Sequence, residues 1–569
     1  MNETKTKPPY NVLLAVLVTA FAIFAGIFYG PAACPIDETI DNYIVSMITN
    51  GLFSTNNYCF SLSPILCLLI KLIKLVLPAA DGFVMYCRAA VWASIFISSF
   101  ASFHAVKTKH QKALLVFVWL FIASVNITNT NFMVISAFID CCGFFVTVLA
   151  IRANSLLLKL CGILLIIAGC LLRINAIVTI IPFIFIYILA ALISSSKDNR
   201  RAHIKKTLIP AAVCFLCIIS LRIVYIAVNT SAMYKDGWDY NEARSLLVDL
   251  PEISVEEIVG RIPDVTENDI YMTWYNMLGD TERINTKWLS DIGALSRTYP
   301  YSFSADSAKK AFNDFWKFRR SIKLNFIIIC DLLFILYIRI FCIDKKYTAA
   351  AAVSFLGIFA EAFAFLLYGR LVERLYTSAA LGCFFLCLAV ICSTDMQRAK
   401  NNGKRTAAAL AVFGALCVLG SLRYFKTDFS PTPVLSVNAT KNADDSFWKS
   451  TFEGSNIFIW QVIDYDQILL NGFKSNGKLP TEECMQHHTI FGEWTYGQPY
   501  MKDYFNKIGI KNPVYDLIYR QNTYFVCSQD IYTQMVLTYI HEHIDPSVQA
   551  VRCGSIGPAS IWQFVPSVK

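Results

Sequence analysis

Long apolar runs, each about the length of a bilayer span, recur along this sequence of 569 residues. A helix needs roughly 20 apolar residues to cross the hydrocarbon core. With 56% hydrophobic and only 16% charged residues, the chain is too apolar for an ordinary soluble protein. The sequence therefore predicts a polytopic α-helical membrane protein with about eleven spans. These lie at residues 11–30, 83–105, 113–125 (a short one), 132–151, 156–172, 176–193, 207–228, 324–343, 349–368, 375–392 and 407–422.

The distribution of basic residues predicts the orientation. Lys5 and Lys7 precede the first run, which is longer than a signal-peptide core and is interpreted as an uncleaved anchor. Lysine and arginine gather in the short loops, such as 107–112, as the positive-inside rule expects of cytoplasmic loops. The basic amino end and that cluster are both predicted to be cytoplasmic, so only an even number of spans can separate them. Residues 63–77, which carry two lysines, are therefore predicted to be an amphipathic helix on the outer surface.

Two long hydrophilic segments, 229–320 and 423–569, are expected on the extracytoplasmic side together with the carboxyl terminus. They contain 11 basic against 15 acidic residues and 12 basic against 14 acidic residues, respectively. The two segments together carry −6, so with a net charge of +9 the rest of the chain carries +15. This positive charge is a topology signal and gives no reason to expect a nucleic-acid partner.

The tail alternates between strand-like and helix-like periods. Strands are predicted at 456–462, 523–528, 548–553 and 560–565, with an amphipathic helix at 530–543. The predicted organisation is a transmembrane domain at 1–422, which includes the outer loops 31–82 and 229–320. An extracytoplasmic mixed α/β domain follows at 423–569.

Acidic residues follow the first span at once, in the loop that contains Asp37, Glu38 and Asp41. A carboxylate at the bilayer surface can act as a general base on a hydroxyl group. It can also bind a hard divalent cation such as Mg or Mn. In the alternative interpretation Asp37 and Glu38 only cap the next helix, and Asp41 lies on its wet face.

The order of these features resembles the GT-C superfamily of glycosyltransferases. The acidic loop is followed by the surface helix and by Ser63-Pro64. The segment 172–176 (Leu-Arg-Ile-Asn-Ala) is similar to an arginine-bearing segment found at that place in many such enzymes. The segment 368–374 (Tyr-Gly-Arg-Leu-Val-Glu-Arg) is similar to their late outer loop. The resemblance covers residues 1–422, and a soluble tail is a common addition there.

The resemblance implies an enzyme of the bacterial plasma membrane. It would transfer a sugar from a polyprenyl-phosphate donor to a cell-surface glycan or lipid-linked acceptor, with inversion. Asp37 would be the base, with Glu38 as the second candidate. The cations that hold the leaving phosphate would be Arg370, Arg374 and Arg173.

Four further residues are expected to support the acceptor or the outer loops, namely Asp41, Glu373, Trp238 and Tyr240. The aromatic rings could stack on sugars or could be core residues of a folded loop. The arginines could instead have no ligand and only extend their charged ends to the membrane–water interface.

Two other readings stay open. Acidic residues within spans, above all Asp140 and Glu361, would suit a non-enzymatic transporter or glycan-handling protein. In a third reading the tail binds a protein partner.

Two short motifs carry weaker signals. Asp464-Tyr465-Asp466 has the spacing of a metal motif of nucleotide-sugar transferases, but it adjoins a predicted strand and is interpreted as coincidence. The run His541-Glu542-His543 lacks a complete zinc spacing, and its residues are interpreted as surface residues.

Overall fold

The structure is a computed structural model. Besides short pieces between 305 and 316 and between 407 and 419, it describes residues 8–28, 44–78, 81–106, 108–124, 131–195, 197–248, 254–298, 322–367, 372–393, 454–470, 480–492 and 495–567. The chain forms two compact units. The first, here the membrane unit, comprises Met1–Asn42, Ser61–Tyr225 and Ser302–Ser430. The second, here the sheet unit, comprises Tyr43–Phe60, Ile226–Tyr301 and Pro431–Lys569.

The main helices of the described residues are numbered in chain order. They are α1 Pro8–Phe28, α2 Pro64–Val76, α3 Gly82–Ala105, α4 Lys109–Ser124, α5 Phe132–Ala153, α6 Leu156–Arg173, α7 Ile181–Ser194, α8 Lys197–Asn229, α9 Lys235–Val248, α10 Val255–Arg261, α11 Glu267–Trp274, α12 Thr286–Thr298, α13 Ile322–Phe341, α14 Lys345–Leu367, α15 Glu373–Ser393, α16 Glu482–His487, α17 Pro499–Ile508, α18 Pro513–Tyr519 and α19 Asp530–His543. A 3₁₀ turn, Ile174–Thr179, links α6 to α7. A short helix at Val462–Asp464 continues as a π-helix, Tyr465–Leu470.

Six helices in the described residues are long and apolar enough to cross a membrane. They are Gly82–Ala105, Phe132–Ala153, Leu156–Thr179, Ile204–Asn229, Lys345–Leu367 and Glu373–Ser393. Tyr10–Gly26 and Ile181–Ser194 are shorter apolar helices. The chain therefore has the make-up of a polytopic helical membrane protein, as predicted. The count of eleven spans and their orientation stay predictions.

The centre of the membrane unit is α5, which packs against α3, α6 and α15. In the most apolar 18-residue stretch of α5, 94% of the residues are buried, whereas in that of α8 only 6% are buried. Glycines allow the close approach of α5 and α6. A Cβ atom added to Gly162 would lie 2.3 Å from Thr147 Oγ1 and 2.9 Å from the Gly143 carbonyl oxygen. Small residues of this kind let two helix backbones pack against each other within a membrane.

In the part of the chain that the structure describes, the sheet unit contains five strands in the order β2-β1-β3-β5-β4. They are β1 Ile457–Trp460, β2 His488–Ile490, β3 Thr523–Cys527, β4 Val548–Ile556 and β5 Ala559–Pro566. The first three are parallel, and β5 adds to β3 as half of an antiparallel hairpin with β4. The strands other than β2, and α19, lie where the sequence pattern predicted them. The very short β2 was missed because three residues carry no usable period.

The sheet unit is built from three separate stretches of chain. The buried Asp280 carboxylate, from the second stretch, accepts hydrogen bonds from Tyr539 Oη at 2.8 Å and Asn512 Nδ2 at 2.9 Å, both from the tail. From the first stretch, the Phe53 ring lies 5.2 Å from that of Tyr504. The predicted boundary at residue 422 had assigned the first two stretches to the membrane domain. In the structure their contacts with the tail make them part of the sheet unit.

Candidate functional site

Four of the predicted site residues, Asp37, Glu38, Asp41 and Arg370, lie outside the described residues. Their roles stay predictions. The structure does describe Arg173, Arg374, Glu373, Trp238 and Tyr240. The first three belong to the membrane unit and the last two to the sheet unit.

Arg173 lies at the point where α6 gives way to the tighter 3₁₀ turn. Its Nη1 donates a hydrogen bond to the Ser61 carbonyl oxygen at 2.9 Å. The guanidinium carbon lies 5.7 Å from the centre of the Phe132 ring, within range of a cation–π contact. These two contacts fix the position of the side chain, and a guanidinium group has further N–H donors to offer a ligand.

A pocket surrounds this arginine within the membrane unit. Its lining residues are Ser61, Leu62, Ser63, Cys170, Arg173, Ile174, Asn175, Leu221 and Tyr225. They come from the chain that leads into α2, the end of α6, the 3₁₀ turn and α8. The lining combines one cation and several hydrogen-bonding groups with aliphatic and aromatic surface.

Ser63 supplies an unused hydrogen-bonding group to this pocket. It is the N-cap residue of α2, and its backbone N–H donates to the Leu171 carbonyl oxygen at 3.0 Å. The residue is only 6% exposed, and its Oγ has no hydrogen-bond partner in the described part of the chain. A buried hydroxyl without a partner costs free energy, which a bound acceptor would recover. The amino end of α2 adds the positive end of a helix dipole.

A second arginine, Arg222 on α8, lies beside the pocket. Its Nη1 donates to Asn175 Oδ1 at 3.1 Å, and its guanidinium carbon lies 5.3 Å from the centre of the Tyr225 ring. Asn175 and Tyr225 both line the pocket. This contact joins two residues that are 47 positions apart in the sequence. No local spacing could have revealed it.

Arg374 and Glu373 begin α15 and are both half-buried. Glu373 is in the first turn, where an acidic group interacts favourably with the helix dipole. Among the described residues, Arg374 is not part of the pocket lining. The predicted fork of Arg370 and Arg374 stays a prediction, because Arg370 lies outside the described residues.

Trp238 and Tyr240 both lie on α9, in the sheet unit. Tyr240 is buried, and its ring packs on Gly497. Burial raises the pKa of its hydroxyl group. Trp238 is half-buried, and its ring lies 6.2 Å from that of Phe60. Tyr240 is therefore a core residue of the sheet unit and Trp238 is partly exposed, while their roles toward an acceptor stay predictions.

Two other acidic residues that the sequence singled out, Asp464 and Asp140, are buried. Asp464 is buried in the short helix that follows β1, and its Oδ2 accepts the backbone N–H of Ser528 at 2.7 Å. Burial raises the pKa of this carboxyl group. This contact joins the segments that follow β1 and β3, which is a structural role. Asp140 is fully buried on α5, and its Oδ1 lies 3.9 Å from Sγ of Cys170, a residue of the pocket lining.

No protein-family model matches the chain, and neither curated proteins nor solved structures give a significant match. The class of protein is therefore defined by its own fold and site. It is a polytopic helical membrane protein with a five-stranded sheet unit and an arginine-bearing pocket in its membrane unit.

Proposed function

We propose that this protein is a membrane glycosyltransferase that takes its sugar from a polyprenyl-phosphate donor. The pocket around Arg173 would hold the phosphate of that donor. The observation that carries the proposal is the presence, in one pocket, of a fixed guanidinium group and of the Ser63 hydroxyl at the amino end of a helix, which has no hydrogen-bond partner among the described residues. All three features favour a phosphate oxygen.

The rest of the lining supports a lipid rather than a free phosphate. Leu62, Ile174, Leu221 and Tyr225 give the pocket an apolar side. The neighbouring α8 exposes most of its apolar residues, so that it would be bordered by lipid. A prenyl chain could leave the pocket along α8 without crossing water.

Asp37 would be the base in this proposal. The acceptor hydroxyl oxygen attacks the anomeric carbon, and the bond from that carbon to the phosphate oxygen breaks. The hydroxyl proton passes to the carboxylate, and the phosphate leaves on its lipid with the negative charge that Arg173 stabilises. Attack opposite the leaving group inverts the anomeric centre. The acceptor would be a glycan or a lipid-linked sugar on the outer side of the bacterial plasma membrane.

Binding of a polyprenyl phosphate to the full chain in lipid nanodiscs tests the pocket. Loss of a hydrogen bond to a charged group costs about 1.5–3 kcal/mol, so Arg173→Gln should weaken binding roughly 10- to 100-fold. Arg173→Lys should retain part of the affinity, and Ser63→Ala should reduce it by less. The matched control is Arg152→Gln, in the last turn of α5, which is not a pocket residue. Unchanged binding by Arg173→Gln would rule out this pocket.

A transfer assay with the same nanodiscs tests the chemistry. Asp37→Asn should abolish sugar transfer and leave binding of the lipid phosphate intact. Glu38→Gln should be less damaging. If Asp37→Asn transfers sugar at the wild-type rate, the assignment of a glycosyltransferase mechanism fails, whatever the pocket binds.

One observation favours a transporter as the second candidate. Asp140 adjoins the pocket through Cys170, and its Oδ2 has no hydrogen-bond partner in the described residues. Glu361 on α14 has an oxygen in the same condition. Buried acidic groups in spans commonly carry protons or ions in transporters. Loss of ligand uptake into vesicles in Asp140→Asn, with Asp37→Asn unaffected, would favour this function over transfer.

A further inference from the structure

Two residues of the run His541-Glu542-His543, namely Glu542 and His543, lie close to an acidic residue from a distant part of the chain. Asp269, on α11, lies 274 residues before His543 on α19. Its Oδ1 is 2.9 Å from Nε2 of His543, and Glu542 Oε2 is 3.8 Å from the same nitrogen. One potential ligand atom from each of the three residues lies within 4.8 Å of the others. We infer that these residues form a binding site for a divalent transition-metal ion of the zinc class.

The distances between the potential ligand atoms suit an ion of the size of zinc. Zinc binds nitrogen and oxygen ligands at about 2.0–2.2 Å, which places tetrahedral ligand atoms roughly 3.3 Å apart. Two of the three separations, 2.9 and 3.8 Å, lie on either side of that value, and the third is within 4.8 Å. A small adjustment of the Glu542 side chain, which is 32% exposed, would bring all three atoms into range.

Neighbouring groups hold the carboxylates in the orientation that a metal needs. Oδ2 of Asp269 accepts the backbone N–H of Thr266 at 3.0 Å and Nη2 of Arg283 at 3.2 Å, which leaves Oδ1 toward His543. The Thr266 hydroxyl group donates to Glu542 Oε2 at 2.8 Å. Supporting hydrogen bonds of this kind orient the ligands of known metal sites.

The chemistry of the donors selects the class of ion. An imidazole nitrogen with two carboxylate oxygens suits zinc and its neighbours, whereas magnesium and calcium prefer oxygen alone. Two carboxylates balance the charge of a divalent cation, and Arg283 is hydrogen-bonded to the far oxygen of Asp269. Three protein ligands leave a fourth position for water. The ion would tie α11 to α19, and with it the second stretch of the sheet unit to the tail.

This site does not depend on the proposed glycosyltransferase function. The test uses the full chain in detergent, without an affinity tag, stripped of metal and then dialysed against Zn²⁺. We expect the wild-type chain to retain about one zinc ion more than His543→Ala. His541→Ala is the matched control, because His541 is on the same helix but bonds to the Val548 carbonyl oxygen. That variant should retain zinc like the wild type.

Two further measurements keep the test decisive if a variant folds poorly. Glu542→Gln changes a half-exposed side chain and should weaken zinc binding without disturbing the fold. Zinc should also slow amide hydrogen exchange in α11 and α19 of the wild type and have no such effect in His543→Ala. Equal zinc content in the wild type and His543→Ala, or no change in exchange, would overturn the proposal. The three residues would then form only an ion-pair network with Arg283.

Discussion

Asp280 should be the most sensitive single position in the sheet unit. Its carboxylate is 2% exposed and accepts from the Tyr539 hydroxyl, the Asn512 amide and the backbone N–H groups of Glu282 and Arg283. Asp280→Ala leaves the two side-chain donors buried without an acceptor. At about 1–3 kcal/mol for each, we expect a loss of roughly 4 kcal/mol.

A double-mutant cycle separates this effect from general damage to the core. Tyr539→Phe alone removes a hydrogen bond to a charged acceptor and should cost about 1.5–3 kcal/mol. In the Asp280→Ala background the hydroxyl has lost its acceptor, so the same change should cost close to nothing. The two substitutions should therefore couple by at least about 1 kcal/mol.

Hydrogen exchange of the slowest amides in α19, measured on the full chain in detergent, gives the free energy of opening for each variant. The coupling is the difference between the two Tyr539→Phe effects. If Tyr539→Phe costs the same with and without Asp280, the hydroxyl does not draw its stability from this carboxylate. The account of how the second stretch is joined to the tail would then be refuted.

Two further predictions concern other buried positions. Burial lowers the pKa of His488 to about 3, so only the unfolded state gains a proton as the pH falls from about 6.5 toward 3. Stability of the sheet unit should therefore fall by up to about 1.4 kcal/mol per pH unit in this window. His488→Gln, which can still accept from Trp460 Nε1, should flatten that dependence in exchange measurements on β1, and an equal slope would contradict it. In the membrane unit, Gly162→Ala forces its Cβ against Thr147 and should cost about 1–3 kcal/mol in thermal unfolding, while the roomier Gly357→Ala should be tolerated; equal effects would count against tight packing of α5 on α6.

The sequence by itself determined the class of protein and most of its local elements. Apolar runs of spanning length predicted the helices of the membrane unit, because a bilayer tolerates few other structures there. The amphipathic period at 63–77 predicted α2, which the structure bounds at Pro64–Val76. Alternation in the tail predicted β1 and β3, since side chains of a strand point to opposite faces in turn.

For the candidate site the sequence supplied Arg173 and little else that the structure describes. Its position just after a span, in a segment similar to one in known transferases, marked it in advance. The structure places Arg173 in one pocket with Ser63, whose hydroxyl is buried, and with Asn175, which accepts a hydrogen bond from Arg222. Their burial and contacts depend on how separate helices pack, and no local period records that.

Only the tertiary structure decided which distant segments join. It combined three stretches of chain into the sheet unit, with Asp280 bound to side chains more than 200 residues away. It also brought Asp269 to His543, so that a run of surface-type residues became a candidate metal site. The physical reason is the same in each case. Hydrogen bonds and ligand sets require atoms within about 3 Å, and that proximity is set by long-range packing rather than by neighbours in the sequence.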